Sequence, residues 1–289
     1  MAKRFDEDKT SCKPKKRKLS NKVRHRFPNI MTTLLPGFSI ITCTRNSEPW
    51  LAESINSVLG QEAVDVEYIF VDGHSTDGTL SRIKNIERPI KLIENRCAGI
   101  SDAMNAGLAA ATHEIVAFLH SDDFYLHADV LKIVAESFRT TRCQWLFGRT
   151  LSAIDGQLIP EGYTAPSYSR RQLLRGNFIP HPACFVKRSL LGQAGGFNTQ
   201  LRYAMDYDLW LRLSLLAEPL QIKTPLTAFR EHAGSLSTRE RSAAMREDLQ
   251  VRLAHTGLNP VTRLMHTTRY FVRRWRDNMQ AHLPKVSHA

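Results

Sequence analysis

Four short apolar runs stand out along the chain: Phe38-Ser-Ile-Ile-Thr-Cys43, Val66-Glu-Tyr-Ile-Phe-Val71, Ile90-Lys-Leu-Ile93 and Ile115-Val-Ala-Phe-Leu119. Each suits a strand buried on both faces of a parallel sheet. The segments between them carry apolar residues at helical spacing: Trp50, Ile55, Val58 and Leu59, then Leu80 and Ile83, then Met104 and Leu108. Strand and helix therefore alternate three times, the pattern of a doubly wound α/β sheet whose ligand crevice lies beyond the carboxyl ends of its strands. The polar residues at those ends are Thr44-Arg45-Asn46, Asp72-Gly-His-Ser75 and His120-Ser-Asp-Asp123.

No Gly-x-Gly-x-x-Gly follows the first strand and no Gly-x-x-x-x-Gly-Lys-Ser/Thr occurs anywhere, so neither a dinucleotide fingerprint nor a P-loop is present. Asp122 and Asp123, directly after a buried run, suit a divalent cation set against a diphosphate. Equally open is a turn, or a cap on a helix starting near Ala128. In Asp72-Gly-His-Ser-Thr-Asp-Gly-Thr79, Thr76 or Asp77 can cap the next helix, while Asp72 could accept a hydrogen bond from the ring N–H of a base such as uracil. Asp206 and Asp208 precede Leu-Trp-Leu, where acidic residues open a helix or one of them serves as a base.

These three clusters, in order, resemble the family 2 glycosyltransferases. Gly99-Ile-Ser-Asp-Ala-Met-Asn-Ala-Gly107 is similar to a segment of bacterial members that build surface polysaccharides, and His181-Pro-Ala-Cys-Phe-Val, Gly195-Gly-Phe197 and Asp206-Tyr-Asp-Leu-Trp-Leu-Arg212 are similar to their acceptor-side half. The resemblance spans about Phe38 to Ser237. It implies a GT-A fold, Rossmann-like and mainly parallel with flanking helices, and an inverting transfer from a nucleotide-diphosphate sugar, a UDP-sugar favoured, with Mn²⁺ or Mg²⁺. Carried over by position, Thr44, Arg45 and Asp72 line the base pocket, and Asp102 and His181 contact the donor. Asp122 faces ribose or metal, Asp123 binds the metal with His232, and Arg230 neutralises the diphosphate. Asp206 is the base, favoured over Asp208. Arg45, Cys97 and Ser101 depart from the pattern, where Tyr, an acidic residue and Tyr are common.

Composition adds the ends. The 289 residues carry a formal charge of +12, concentrated in Lys13–Lys18 and in Arg269–Arg276. Residues 1–36 read as a flexible basic arm, 37–237 as the GT-A domain and 238–289 as a basic helical extension. The aromatic and arginine-rich tail suits an interfacial helix on anionic lipid or a solvated helix. Lys13–Lys18 also fits a nuclear or nucleic-acid patch, but no nucleic-acid motif accompanies it. Five scattered cysteines suggest no disulfide framework, and no run is long and apolar enough to span a bilayer. The expected setting is cytoplasmic, peripheral at the inner face of the membrane, with a sugar or lipid-linked glycan acceptor. A non-catalytic nucleotide-binding scaffold and a sugar nucleotidyltransferase are the rival readings; the latter normally carries a Gly-rich basic loop where this chain has Thr44-Arg45-Asn46.

Overall fold

The computed structural model describes residues 35–94, 99–160, 165–230, 240–257 and 259–281. Everything below concerns the unit Leu35–Ala289. The basic arm with Lys13–Lys18, together with Cys97 and His232, lies outside the described residues.

In chain order the first half holds β1 (Phe38–Thr44), α1 (Glu48–Leu59), β2 (Val66–Asp72), α2 (Thr79–Lys84), β3 (Lys91–Glu94), α3 (Ile100–Ala110) and β4 (Ile115–Phe118). β5 (Phe124–Tyr125), α4 (Val130–Thr141), β6 (Trp145–Ile154), β7 (Gln157–Pro160) and α5 (Arg170–Leu173) follow. After a 3₁₀ turn at His181–Ala183 come β8 (Cys184–Lys187), α6 (Arg188–Ala194), α7 (Met205–Leu216) and β9 (Leu220–Arg230). Two helices close the chain, α8 (Arg241–His255) and α9 (Pro260–Ala281). The sheet order is β3-β2-β1-β4-β8-β6-β9-β5, with β7 on β6. It is parallel from β3 through β4, and mixed from β8 onward.

The mostly apolar runs of β1, β2 and β4 are explained by packing on both sides, whereas β3, at the sheet edge, is half-buried to exposed, unlike the strand buried on both faces expected at Ile90–Ile93. Ile41, Ile69 and Val71 face one core with α3, α6 and α7, while Phe38, Ile40, Tyr68 and Phe70 face another with α1, α2 and α4. On α1 the buried stripe is Leu51, Ser54, Ile55 and Val58; Trp50 turns aside to meet Arg230. Gly107 lets α3 press onto β1, since a Cβ there would sit 2.4 Å from the Ile41 side chain. α3 also holds a distant loop: Asn105 bonds both the N–H and the carbonyl of Phe197 at 2.8 Å, and the Ser101 hydroxyl donates to Leu201 O. The segment matched to polysaccharide builders is thus a clamp on residues 197–201.

Near the opposite edge, the Glu67 carboxylate accepts from Ser39, from the Thr112 N–H and hydroxyl, and pairs with Lys91. Burial would raise its pKa, but the bonds from Lys91, Ser39 and Thr112 outweigh that and hold it down at about 2. A carboxyl depressed in the folded state contributes stability above its unfolded pKa and loses it as pH falls through the folded value. Glu67→Gln should therefore lower Tm at pH 7, with the gap to wild type closing between about pH 5 and about pH 2. A gap independent of pH in a thermal melt series would show that the charge contributes nothing.

Candidate active site

The crevice is built where β1, β2 and β4 end. Thr44 and Asp72 are register partners in adjacent strands, and the Thr44 hydroxyl donates to Asp72 at 2.8 Å. Asp72 is fully buried and also accepts from the Ser75 N–H and hydroxyl. Asn46, in the left-handed region at φ 52°, receives Thr76 N–H on its side chain and donates its own N–H to Ser75. Asp77 takes the N–H groups of both Glu48 and Thr79, and Glu48 takes that of Gly78. The β1 and β2 loops are therefore stitched to one another, and their outer rim forms one wall of the crevice. Thr44, Arg45, Asn46 and Gly73 line one side of a cavity of about 810 Å³; residues 99–101 and 199–202 line the other. Asp102 occupies the first turn of α3 and is not among the residues lining this cavity.

After β4, the chain turns through Asp123 N–H to His120 O. Helix α4 begins only at Val130, beyond β5, so Asp122 does not cap it. Asp123 is buried, with Oδ1 accepting from the Arg230 N–H at 3.2 Å and Oδ2 lacking any hydrogen-bond partner. Burial, with the Asp122 charge adding to it, pushes this carboxyl well above the usual range. An orphaned buried carboxylate oxygen beside a second carboxylate fits a divalent cation, whose oxygen ligands would complete the set. Among the described residues, no group of three or more His, Cys, Asp or Glu side chains forms a metal cage. Arg230 lies behind this turn: it pairs with Glu53, donates to Asp122 O, and sits over Trp50 at 4.6 Å and Phe124 at 5.4 Å.

Asp206 opens α7, where its Oδ1 accepts the Tyr207 N–H and its Oδ2 accepts Asn177 Nδ2 at 3.0 Å. Burial pushes its carboxyl up to about 6 against those two hydrogen bonds. Asp206 and Asp122 line one cavity of about 600 Å³ together with Arg45, His120, His181 and Arg202. His181 stacks on His120, with centroids 4.6 Å apart and planes 12° apart. Burial holds both imidazoles below their usual pKa, so at neutral pH they form an uncharged wall. The Nε2 of His181 is buried without a partner.

Asp208 is used differently. It pairs with Arg212 at 2.8 Å and with His255 of α8 at 3.0 Å, and these contacts overcome burial to lower its pKa. A neighbour from the same helix, Glu247, accepts the N–H groups of Arg202, Tyr203 and Ala204, so one carboxylate organises the loop that delivers Asp206. Asn177, His120 and Glu247 carry no role in the sequence reading. Only His120 had a local signal, its place at a strand end.

Residues 39–191 match the model for glycosyl transferase family 2. The chain belongs to glycosyl transferase family 2. It is 30% identical over 196 residues to a chondroitin synthase of Pasteurella multocida, covering 66% of this chain and 19% of that protein. It spans about a fifth of the length of the chondroitin and hyaluronan synthases of Pasteurella multocida. An uncharacterized glycosyltransferase of Mycobacterium tuberculosis is 30% identical over 221 residues, 73% of this chain and 81% of that one. In structure, S. aureus TarS 1–349 in complex with UDP-GlcNAc superposes with a TM-score of 0.65 at 20% identity, over 83% of this chain and 73% of that one. The fold of this family 2 glycosyltransferase is GT-A, as the sequence motifs implied.

Proposed function

We propose that this glycosyltransferase moves a sugar from a UDP-sugar to an acceptor hydroxyl with inversion at the anomeric carbon, in the assembly of a surface polysaccharide or lipid-linked glycan. The observation that carries the reading is that Asp206 and Asp122 line one cavity, while the next residue, Asp123, is fully buried with one carboxylate oxygen unpartnered. Thr44, Arg45 and Asn46 form the base side of the neighbouring cavity, braced from behind by Asp72.

Asp206 takes the acceptor proton as its oxygen attacks, and a pKa near 6 keeps it ionised yet basic at neutral pH. Asn177 and the Tyr207 N–H aim the carboxylate. Mn²⁺ or Mg²⁺ held by Asp122 and Asp123 would supply Lewis-acid stabilisation of the departing diphosphate. The neutral His120–His181 stack gives the cavity that holds Asp206 an uncharged face. A donor of the UDP class is supported by the UDP-GlcNAc named in the TarS complex.

Thermal-shift titration with UDP, GDP and dTDP, each with Mn²⁺ or EDTA, tests this. At about 100-fold over Kd, UDP with Mn²⁺ should stabilise the chain by about 2.7 kcal/mol, and UDP with EDTA far less. Absence of a shift with all three nucleotides would overturn the catalytic reading and leave a degenerate scaffold that binds none of them as the better account.

A further inference from the structure

The most unusual surface of the molecule lies away from the crevice, on α9 and the groove it forms with α8. On α9, Leu264, Met265, Phe271, Val272, Trp275 and Met279 are all exposed. At 100° per residue they fall on one stripe, while Tyr270 and His266 on the opposite side are buried. Alongside the stripe, Arg269, Arg273 and Arg276 turn toward a groove of about 490 Å³ that also receives Arg175, Arg241 and Arg252. Asp248 is the acidic residue among those lining it, and it pairs with Arg252.

We propose that α9 docks this chain on an anionic lipid bilayer, with its apolar stripe in the acyl boundary and the arginine groove receiving phosphate headgroups. The two halves of the surface argue for this occupant together. A polyphosphate strand would use the arginines but leave the aromatic and aliphatic stripe in water. A second copy of the chain would cover the stripe, but the same groove on it, with Asp248 as its one acidic lining residue, offers no anionic partner to the arginines. A bilayer with negative headgroups satisfies both, with the charged groups at headgroup depth and the stripe a few ångströms deeper.

The geometry also says what docking would do. α8 separates the groove from the crevice: Met245 and Asp248 line the groove, and Ala244 lines the cavity that holds Asp206. One helix, about 10 Å across with its side chains, lies between them. An acceptor carried on a lipid would then be presented within reach of the crevice; this last point rests on the proposed transfer, whereas docking itself does not.

Flotation of the full chain with phosphatidylcholine vesicles, with and without about 30% phosphatidylglycerol, tests it without donor or metal. Wild type should partition at least about tenfold more strongly to the anionic vesicles. The triple variant R269Q/R273Q/R276Q should lose that preference, and F271S/W275S should lose binding to both. These side chains are exposed, so unchanged melting temperatures are the control for folding. Lys13–Lys18 is present in every variant, so binding that survives both sets of substitutions overturns the proposal. So does equal binding to the two vesicle types. DNA binding that is lost in the arginine variant but kept in F271S/W275S, without vesicle binding, would reassign the surface to nucleic acid. A dimer dissolved by F271S/W275S, again without vesicle binding, would make it a self-interface.

Discussion

Asp206→Asn should reduce sugar transfer by about 10²–10⁴-fold while nucleotide binding is unchanged, because the substitution keeps the shape of the side chain and removes only its ability to take a proton. The loss should fall on kcat. The wild-type kcat/KM should rise with pH and reach half its plateau near the carboxyl's pKa of about 6. Below that value the carboxyl is protonated and the rate should fall about tenfold per pH unit. Asn177→Ala removes a donor that favours the ionised form, so its half-maximal point should move to higher pH. A flat profile from pH 5 to pH 8, or an Asp206→Asn enzyme of full rate, would remove this residue from the chemistry.

Asp123→Asn is expected to have opposite effects on stability and activity. Without a cation, wild-type Asp123 carries a buried oxygen with no partner beside the Asp122 charge. A carboxyl whose folded pKa lies above its unfolded one costs stability at pH above the unfolded value, whereas Asn does not titrate and keeps an acceptor for the Arg230 N–H. The metal-free variant should therefore melt higher at neutral pH, by on the order of 1 kcal/mol, or about 2 °C for a chain of this size. Manganese-dependent stabilisation by UDP should vanish in it, and transfer should fall with it. Calorimetric scans with Mn²⁺ and with EDTA separate the cases: a variant less stable in EDTA and still responsive to Mn²⁺ would mean that Asp123 serves the fold alone.

The parallel half of the sheet was legible because β1, β2 and β4 pack on both faces, which writes mostly apolar runs into them, with Ser39, Thr42 and Glu67 as polar exceptions inside the strands. The other half was not. β9 is exposed in its middle at Lys223 and Thr224, and its pairing with β6 slips around Arg149, so neither strand presents a clean period. The site divides the same way. Thr44, Asp72, Asp122 and Asp123 follow strands in sequence as they do in space, and the Asp206 segment precedes an apolar helix. Asn177 and Glu247 act on Asp206 and its loop from 29 and more than 40 residues away, so no local window contains both partners.

The hold of Glu247 on residues 202–204 also bears on how such enzymes diversify. Asp72, Asp122 and Asp123 lie inside the stretch that matches the family, residues 39–191, but the loop carrying Asp206, the proposed base, hangs from a helix that lies past it. Under the proposed mechanism, sequence changes confined to the C-terminal tail can therefore reach the angle at which Asp206 meets an incoming hydroxyl without altering the strand ends.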